Sequence, residues 1–208
     1  MEVFYAPMAC SVAARAALYD VGQDAKFTLT DFRAKKLANG DNYLSINPKG
    51  QVPALKLEDG TILTDISAIL PYIARLSPDQ NLMPPEGTIA HSQVHSWIGY
   101  IASEIHKQVI WFIFGGAPEP TQNFARVMAP YRLKYVEKSL KDSKYLIGDT
   151  ITVADFYMLW ALTILQNIKI DLSDYPLINS YMKACLEHPS LKRAFDEEMA
   201  EFSAMQTN

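Results

Sequence analysis

Cysteine is nearly missing from this sequence. Cys10 and Cys185 are the only two among 208 residues. They give no set of paired spacings, which excludes the disulfide framework of small secreted domains and fits a reducing compartment. Long apolar runs are missing as well: no stretch of the sequence approaches the roughly 18 uncharged apolar residues that mark a membrane-spanning helix. The stretch after Met1-Glu2 is broken by Pro7 and Arg15, so it lacks the basic start and unbroken apolar core of a secretory signal, and a cytoplasmic location is expected. Charge of one sign never accumulates. Lys and Arg number 19 and Asp and Glu 23, a net charge of -4 without acidic or basic blocks, so neither nucleic acid nor an anionic membrane is an expected partner. His91 and His95 stand at i and i+4, but no HExxH glutamate and no nearby third ligand accompany them; no metal site is expected.

What is present is an ordinary globular composition, 49% apolar and 20% charged, enough for one large or two modest domains. Residues 1–76 alternate between two hydrophobic periods. Val3 to Tyr5 reads as a buried strand, Pro7 breaks it, and the alanine-rich run from Ser11 to Tyr19 reads as a helix closing at Gly22. Lys26 to Thr30 is a second strand, followed by a polar stretch from Asp31 to Asn42. Ala54 to Leu57 and Thr61 to Thr64 flank Glu58-Asp59-Gly60, a hairpin signal, and Ile66, Ile69, Leu70, Ile73 and Leu76 then repeat at helical spacing. The resulting order, β-α-β, loop, β-β-α, describes a small sheet with helices packed on it, as in thioredoxin-like domains. Residues 77–87, with three prolines, mark a linker. Beyond it the pattern is helical: 89–114, 122–141, 152–168, 177–187 and 190–202. Thr152 and Asp155 form a variant capping box for the third of these.

One thiol stands where chemistry is possible. Cys10 falls at a helix start, among unpaired N–H groups at the positive end of a helix dipole, which favours a thiolate; a small apolar residue at a bend is the plain alternative. Pro53 is either a trans strand opener or a cis proline that turns the Val52 backbone outward to pair with an extended peptide. The other candidates carry equally plain alternatives. Lys35 and Lys36 can be a solvated pair, Asp65 a helix cap, His106 a structural histidine, and Trp111, Phe112 and Phe114 either core or the wall of an apolar pocket.

These motifs occur together and in order: Cys10-Ser11 after an N-terminal strand, Asn47-Pro48-Lys49-Gly50-Gln51-Val52-Pro53-Ala54-Leu55, acidic Asp65 before Ala68-Ile69, and Gly148-Asp149-Thr150-Ile151-Thr152-Val153-Ala154-Asp155. Jointly they resemble a cytosolic glutathione transferase, across essentially the whole chain. The spacing of Tyr5, Cys10, Lys35 and Glu104-Ile105-His106-Lys107 is most similar to the bacterial beta class. The resemblance implies an α/β thioredoxin-like glutathione-binding domain over 1–80 and an all-α domain over 87–208 that contributes a hydrophobic substrate pocket. It also implies glutathione as co-substrate with no other cofactor, a homodimer, and detoxifying transfer of glutathione to hydrophobic electrophiles. Glutathione would pair its cysteinyl backbone with Val52 beside Pro53. Its γ-glutamyl ammonium would meet Asp65 and the adjoining carboxylate the N–H of Ile66, while Lys35 would meet the glycine carboxylate. Cys10, His106 and Tyr5 would serve the sulfur, and Ser103 and Glu104 would approach glutathione across the dimer.

Three positions depart from the family pattern. Ile66 replaces a small residue, commonly Ser or Gly, and so offers only its backbone donor; Gly99 replaces an Asn; Pro71 interrupts the helix after Asp65. Three functions compete: a transferase conjugating glutathione, a thiol-disulfide enzyme acting through Cys10, and a non-catalytic member used for ligand binding or protein docking. The retained Cys10 favours an enzyme with conjugating and disulfide chemistry side by side.

Overall fold

The computed structural model describes residues 1–77 and 82–206. It resolves into two units, Met1–Leu82 with Pro189–Asn208, and Met83–His188.

In the first unit, strand β1 (Glu2–Tyr5) is buried from Val3 to Tyr5, on both faces, as a central strand must be. It pairs in parallel with β2 (Lys26–Asp31) and antiparallel with β4 (Ala54–Lys56), in register Phe4 to Thr28 and Phe4 to Ala54. The two-residue strand β3 (Lys36–Leu37) and β5 (Ile62–Thr64) close the edges, giving the order β3-β2-β1-β4-β5. This is the mixed sheet of a thioredoxin-like domain. The expected hairpin turns at Gly60, whose φ of 88° suits only glycine, and Leu57 N–H donates to Thr61 at 2.9 Å. Below the sheet, Phe4, Tyr43 and Ala54 form a cluster with Leu37, Ile46, Val52 and Ile62 packed on it. Helix α2 (Ile66–Ala74) continues through Pro71. Loss of one backbone bond there is outweighed by burial of Ile66, Ile69, Leu70 and Ile73, each worth about 1.5–3 kcal/mol.

Helix α1 (Ser11–Asp20) is buried at every position from Ser11 to Leu18. Its alanines let the chain pack closely on all sides, but the same burial encloses Arg15, 3% exposed. A charge enclosed this way must be paired. Its partners come from the far end of the chain: on α8 (Pro189–Gln206), Glu198 lies at 3.2 Å, Glu201 at 3.1 Å and Glu197 at 3.5 Å. Tyr19 donates to Glu197 at 2.5 Å and Ser190 to Asp20 at 2.9 Å. Chain order alone groups 87–208 as one helical domain; the structure instead packs α8 on α1, because Arg15 requires those carboxylates.

The second unit is helical. The single helix expected over 89–114 is a continuous rod with three windings: α3 (Ile89–Tyr100), a stretch from Ile101 to Ile110 wound with i to i+5 bonds, and α4 (Trp111–Phe114). Thr88 caps its start, accepting from His91 N–H at 3.1 Å. α5 (Glu119–Ser139) begins three residues earlier than its periodicity predicts, since Pro120 is tolerated in a first turn. α6 (Val153–Asn167) is buried all round from Val153 to Leu162 and forms the centre of the unit; α7 (Pro176–Leu186) follows. Asp155 holds the start of α6, accepting from Thr152 N–H at 2.7 Å, Leu146 N–H at 2.9 Å and Tyr181 O–H at 3.0 Å. Among the described residues no helix is long and apolar enough to cross a membrane.

Candidate functional site

The turn from β1 into α1 sets the thiol. Ala9 N–H bonds back to Ala6 at 3.0 Å, and the Ser11 hydroxyl donates to Ala6 C=O at 3.2 Å. Met8 adopts φ 59°, unusual for a residue with a side chain. Its N–H donates to Glu198 at 2.8 Å. Burial raises the Glu198 carboxyl above the usual carboxylate range, against the pull of Arg15. Cys10 follows at the cap position of α1, 5% exposed, and its thiol donates to Val52 C=O at 3.4 Å.

Val52 is therefore the meeting point. The Val52–Pro53 peptide is cis. The loop leading to it is braced by two donors on Gln51 C=O: Tyr43 O–H at 2.8 Å and Asn47 Nδ2 at 2.7 Å. Both bracing residues are buried. Neither was legible as a site residue, although Asn47 stands in the Asn-Pro-Lys-Gly motif; its role depends on a bond reaching four residues ahead.

Asp65 does not cap α2. Its side chain makes no capping bond, and its backbone sits at φ 70°, ψ 125°, a sparsely populated region costing of order 1–3 kcal/mol and typical of ligand clamps. The carboxylate instead points to the surface, where it pairs with Lys49. Ile66, next along, is buried and opens the helix. Lys35, also at positive φ (59°), donates to Phe32 C=O at 2.5 Å and Gly50 C=O at 2.7 Å, so it is not part of a freely solvated lysine pair. Two of its three ammonium protons are thus used, leaving one for a ligand. A side chain at Gly50 would strike the Lys35 stem at 3.0 Å.

Tyr5 is not brought to the sulfur. Its hydroxyl donates to Glu201 at 2.7 Å, the Arg15 guanidinium lies 4.4 Å from its ring, and burial together with Glu201 pushes its pKa up to about 12. Alternation along β1 turns this side chain toward α1 and α8, which corrects the expectation of a thiol-directed donor.

In the second unit, His106 lies in the i to i+5 stretch, a winding often found at functional positions. Its Nδ1 shares a hydrogen bond of 2.7 Å with Tyr157 O–H, and its ring meets Trp160 edge-on at 4.6 Å. Burial, with Lys107 adding to it, holds the imidazole down to about 3. His106 is neutral at physiological pH. A neutral imidazole carries no charge with which to favour a thiolate, so this ring acts by hydrogen bonding. Glu104 is tied to Arg132 at 3.0 Å and to Gln108 at 3.2 Å, while Ser103 is exposed. Trp111 and Phe114 are 38% and 48% exposed, so this aromatic cluster is not core. Cys185 is fully buried and its thiol pKa is pushed up by burial and by Asp155. Among the described residues no group of three or more His, Cys, Asp or Glu is arranged to hold a metal.

A thioredoxin-like sheet with a thiol at the first helix start, beside the strand-opening Val52-Pro53, joined to a helical unit, is the architecture of the glutathione transferases. The family description for the glutathione S-transferase N-terminal domain matches residues 8–76, and that for the C-terminal domain residues 102–189. Glutathione S-transferase GstA of Escherichia coli O157:H7 is 36% identical over 198 residues, covering 95% of this chain and 98% of that protein. A bacterial beta class glutathione S-transferase from Sphingomonas chungbukensis superposes with a TM-score of 0.90 at 33% identity, covering 95% and 98%. A sphingomonad glutathione S-transferase complexed with glutathione gives 0.89 at 30% identity, with the same coverage. The chain belongs to the glutathione S-transferase family, whose members are enzymes, and its structural neighbours include bacterial beta class proteins.

Proposed function

We propose that this protein is a cytoplasmic, homodimeric transferase that binds reduced glutathione along Val52 and Pro53 and transfers it to hydrophobic electrophiles. In this reading Asp65 takes the γ-glutamyl ammonium, Ile66 N–H the adjoining carboxylate and Lys35 the glycine carboxylate, while Ser103 and Glu104 reach the glutathione of the second subunit. The observation that carries it is the 3.4 Å bond from Cys10 Sγ to Val52 C=O: it puts a thiol at a helix start against the very peptide that would pair with the ligand's cysteinyl backbone, so bound glutathione would present its sulfur beside Cys10. Cys10 donates that bond as a thiol, and the helix N-terminus favours the thiolate once the proton has left. In conjugation the glutathione thiolate attacks the electrophilic carbon of an aryl halide, a carbon–sulfur bond forms, and halide leaves with the bonding pair. In the second reaction the Cys10 thiolate attacks one sulfur of oxidised glutathione, giving a mixed disulfide and releasing glutathione thiolate. His106 contributes as a neutral hydrogen-bonding group.

Chromatography on immobilised glutathione followed by conjugation of a generic aryl halide tests the proposal. Retention with turnover is expected. Retention without turnover would turn the reading to a binding protein, and absence of both would end it. Sedimentation at micromolar concentration should give a dimer; a monomer would remove Ser103 and Glu104 from the site.

A further inference from the structure

The Asp65 carboxylate already has an ammonium on it. Lys49 Nζ pairs with Asp65 Oδ2 and also donates to Thr64 Oγ1 at 3.0 Å. We propose that Lys49 is an internal stand-in for the ligand's own ammonium, so that the γ-glutamyl amine of glutathione binds Asp65 by exchange for Lys49. The inference rests on the assignment of Asp65 to that amine in the proposed function.

Three features make the exchange feasible. Both side chains are more than half exposed, 57% for Lys49 and 51% for Asp65, so the pair is solvent-screened, weak and displaceable without burying a bare charge. The carboxylate makes no bond to the helix it precedes, and the strained backbone of Asp65 aims it outward. Lys49 stands in the turn after Pro48, its backbone held by Asn47 Oδ1 accepting from Lys49 N–H at 3.1 Å. Its flexible stem can therefore move the ammonium into water without disturbing the loop that braces Val52.

The consequence is a filter on the ligand. A simple amine offers Asp65 only what Lys49 already supplies, and it has no other contacts with which to win the exchange. A tripeptide anchored along Val52 delivers its amine at high effective concentration and displaces Lys49. Lys49 thus competes with any amine for Asp65, and a ligand anchored elsewhere along the site is the one able to displace it.

Calorimetric titration of wild type, Lys49→Met and Asp65→Asn with glutathione, and with its analogue lacking the γ-glutamyl amine, tests this. Lys49→Met should tighten glutathione by about 1.4- to 5-fold, the worth of an exposed ion pair, and should not tighten the analogue, which leaves the Lys49–Asp65 pair intact. Added salt should narrow the difference between wild type and variant. Unchanged or weaker glutathione binding by Lys49→Met, or equal tightening of both ligands, overturns the proposal. Asp65→Asn separates the two levels of the argument. If it binds glutathione as wild type does, the assignment of Asp65 fails and Lys49 with it. If it weakens binding while Lys49→Met fails to tighten it, only the role of Lys49 is lost.

Discussion

Acid should unfold this protein through His106. The unfolded imidazole titrates near its ordinary value of about 6.5, whereas burial holds the folded one down to about 3. The folded pKa is depressed, so between these values the unfolded chain binds a proton that the folded chain refuses, and stability present above about pH 6.5 is lost as pH falls. Linkage gives about 1.4 kcal/mol for each pH unit below 6.5, or about 3 kcal/mol by pH 4, a large share of the 5–15 kcal/mol typical of a domain. Urea unfolding at pH 7, 5.5 and 4 should be compared between wild type and His106→Asn, whose amide can still bond Tyr157 but cannot titrate. Carboxylates common to both proteins cancel in the comparison, so wild type should lose about 3 kcal/mol more than the variant on acidification. Equal pH dependence in the two, or an NMR titration of His106 centred near 6.5, would refute the reasoning.

Oxidised glutathione should modify Cys10 and spare Cys185, whose thiol is fully buried with a raised pKa; peptide mass analysis would show one reducible adduct per chain, and equal labelling would reduce Cys10 to a small residue at a bend. Cys10→Ala should abolish the adduct and disulfide reduction yet retain part of the aryl halide conjugation, measured by product absorbance. Thr152→Ala should cost roughly 1 kcal/mol in urea unfolding, the usual worth of a cap, with glutathione binding unchanged.

Local signals carried much of the architecture. The strand at Val3–Tyr5, the hairpin around Gly60 and the α6 start at Thr152 are read from neighbours within five residues, and the structure has them where periodicity and turn chemistry put them. The short strand Lys36–Leu37 was hidden in a polar stretch, because two residues cannot show a period. What pairs across long separations stayed illegible. Arg15 looked like a helix residue with no stated partner, and its carboxylates lie more than 180 positions away. Cys10, Val52, Pro53, Asp65 and Lys35 were singled out from motifs, but what each side chain touches is a property of the folded chain. Hence the hydroxyl of Tyr5 goes to Glu201, the ammonium of Lys35 to backbone carbonyls, and Lys49, legible only as one residue of the Asn47–Leu55 motif, to Asp65. Ionisation of His106 was equally out of reach, since it depends on burial against Tyr157 and Trp160.

The return of α8 to α1 has a consequence for synthesis. The first unit is discontinuous, closing only when Pro189–Asn208 joins Met1–Leu82. A ribosome adding about 5–20 residues per second needs roughly 6–25 s after finishing β5 and α2 to deliver Glu197, Glu198 and Glu201. During that interval Arg15 sits in a nascent sheet-and-helix layer without its counter-charges, while the intervening helices are already complete and free to fold. The segment made first is therefore the one completed last, and a stalled or truncated chain missing only its final helix would lack the Glu198 carboxyl that accepts from Met8 N–H beside the Cys10 turn.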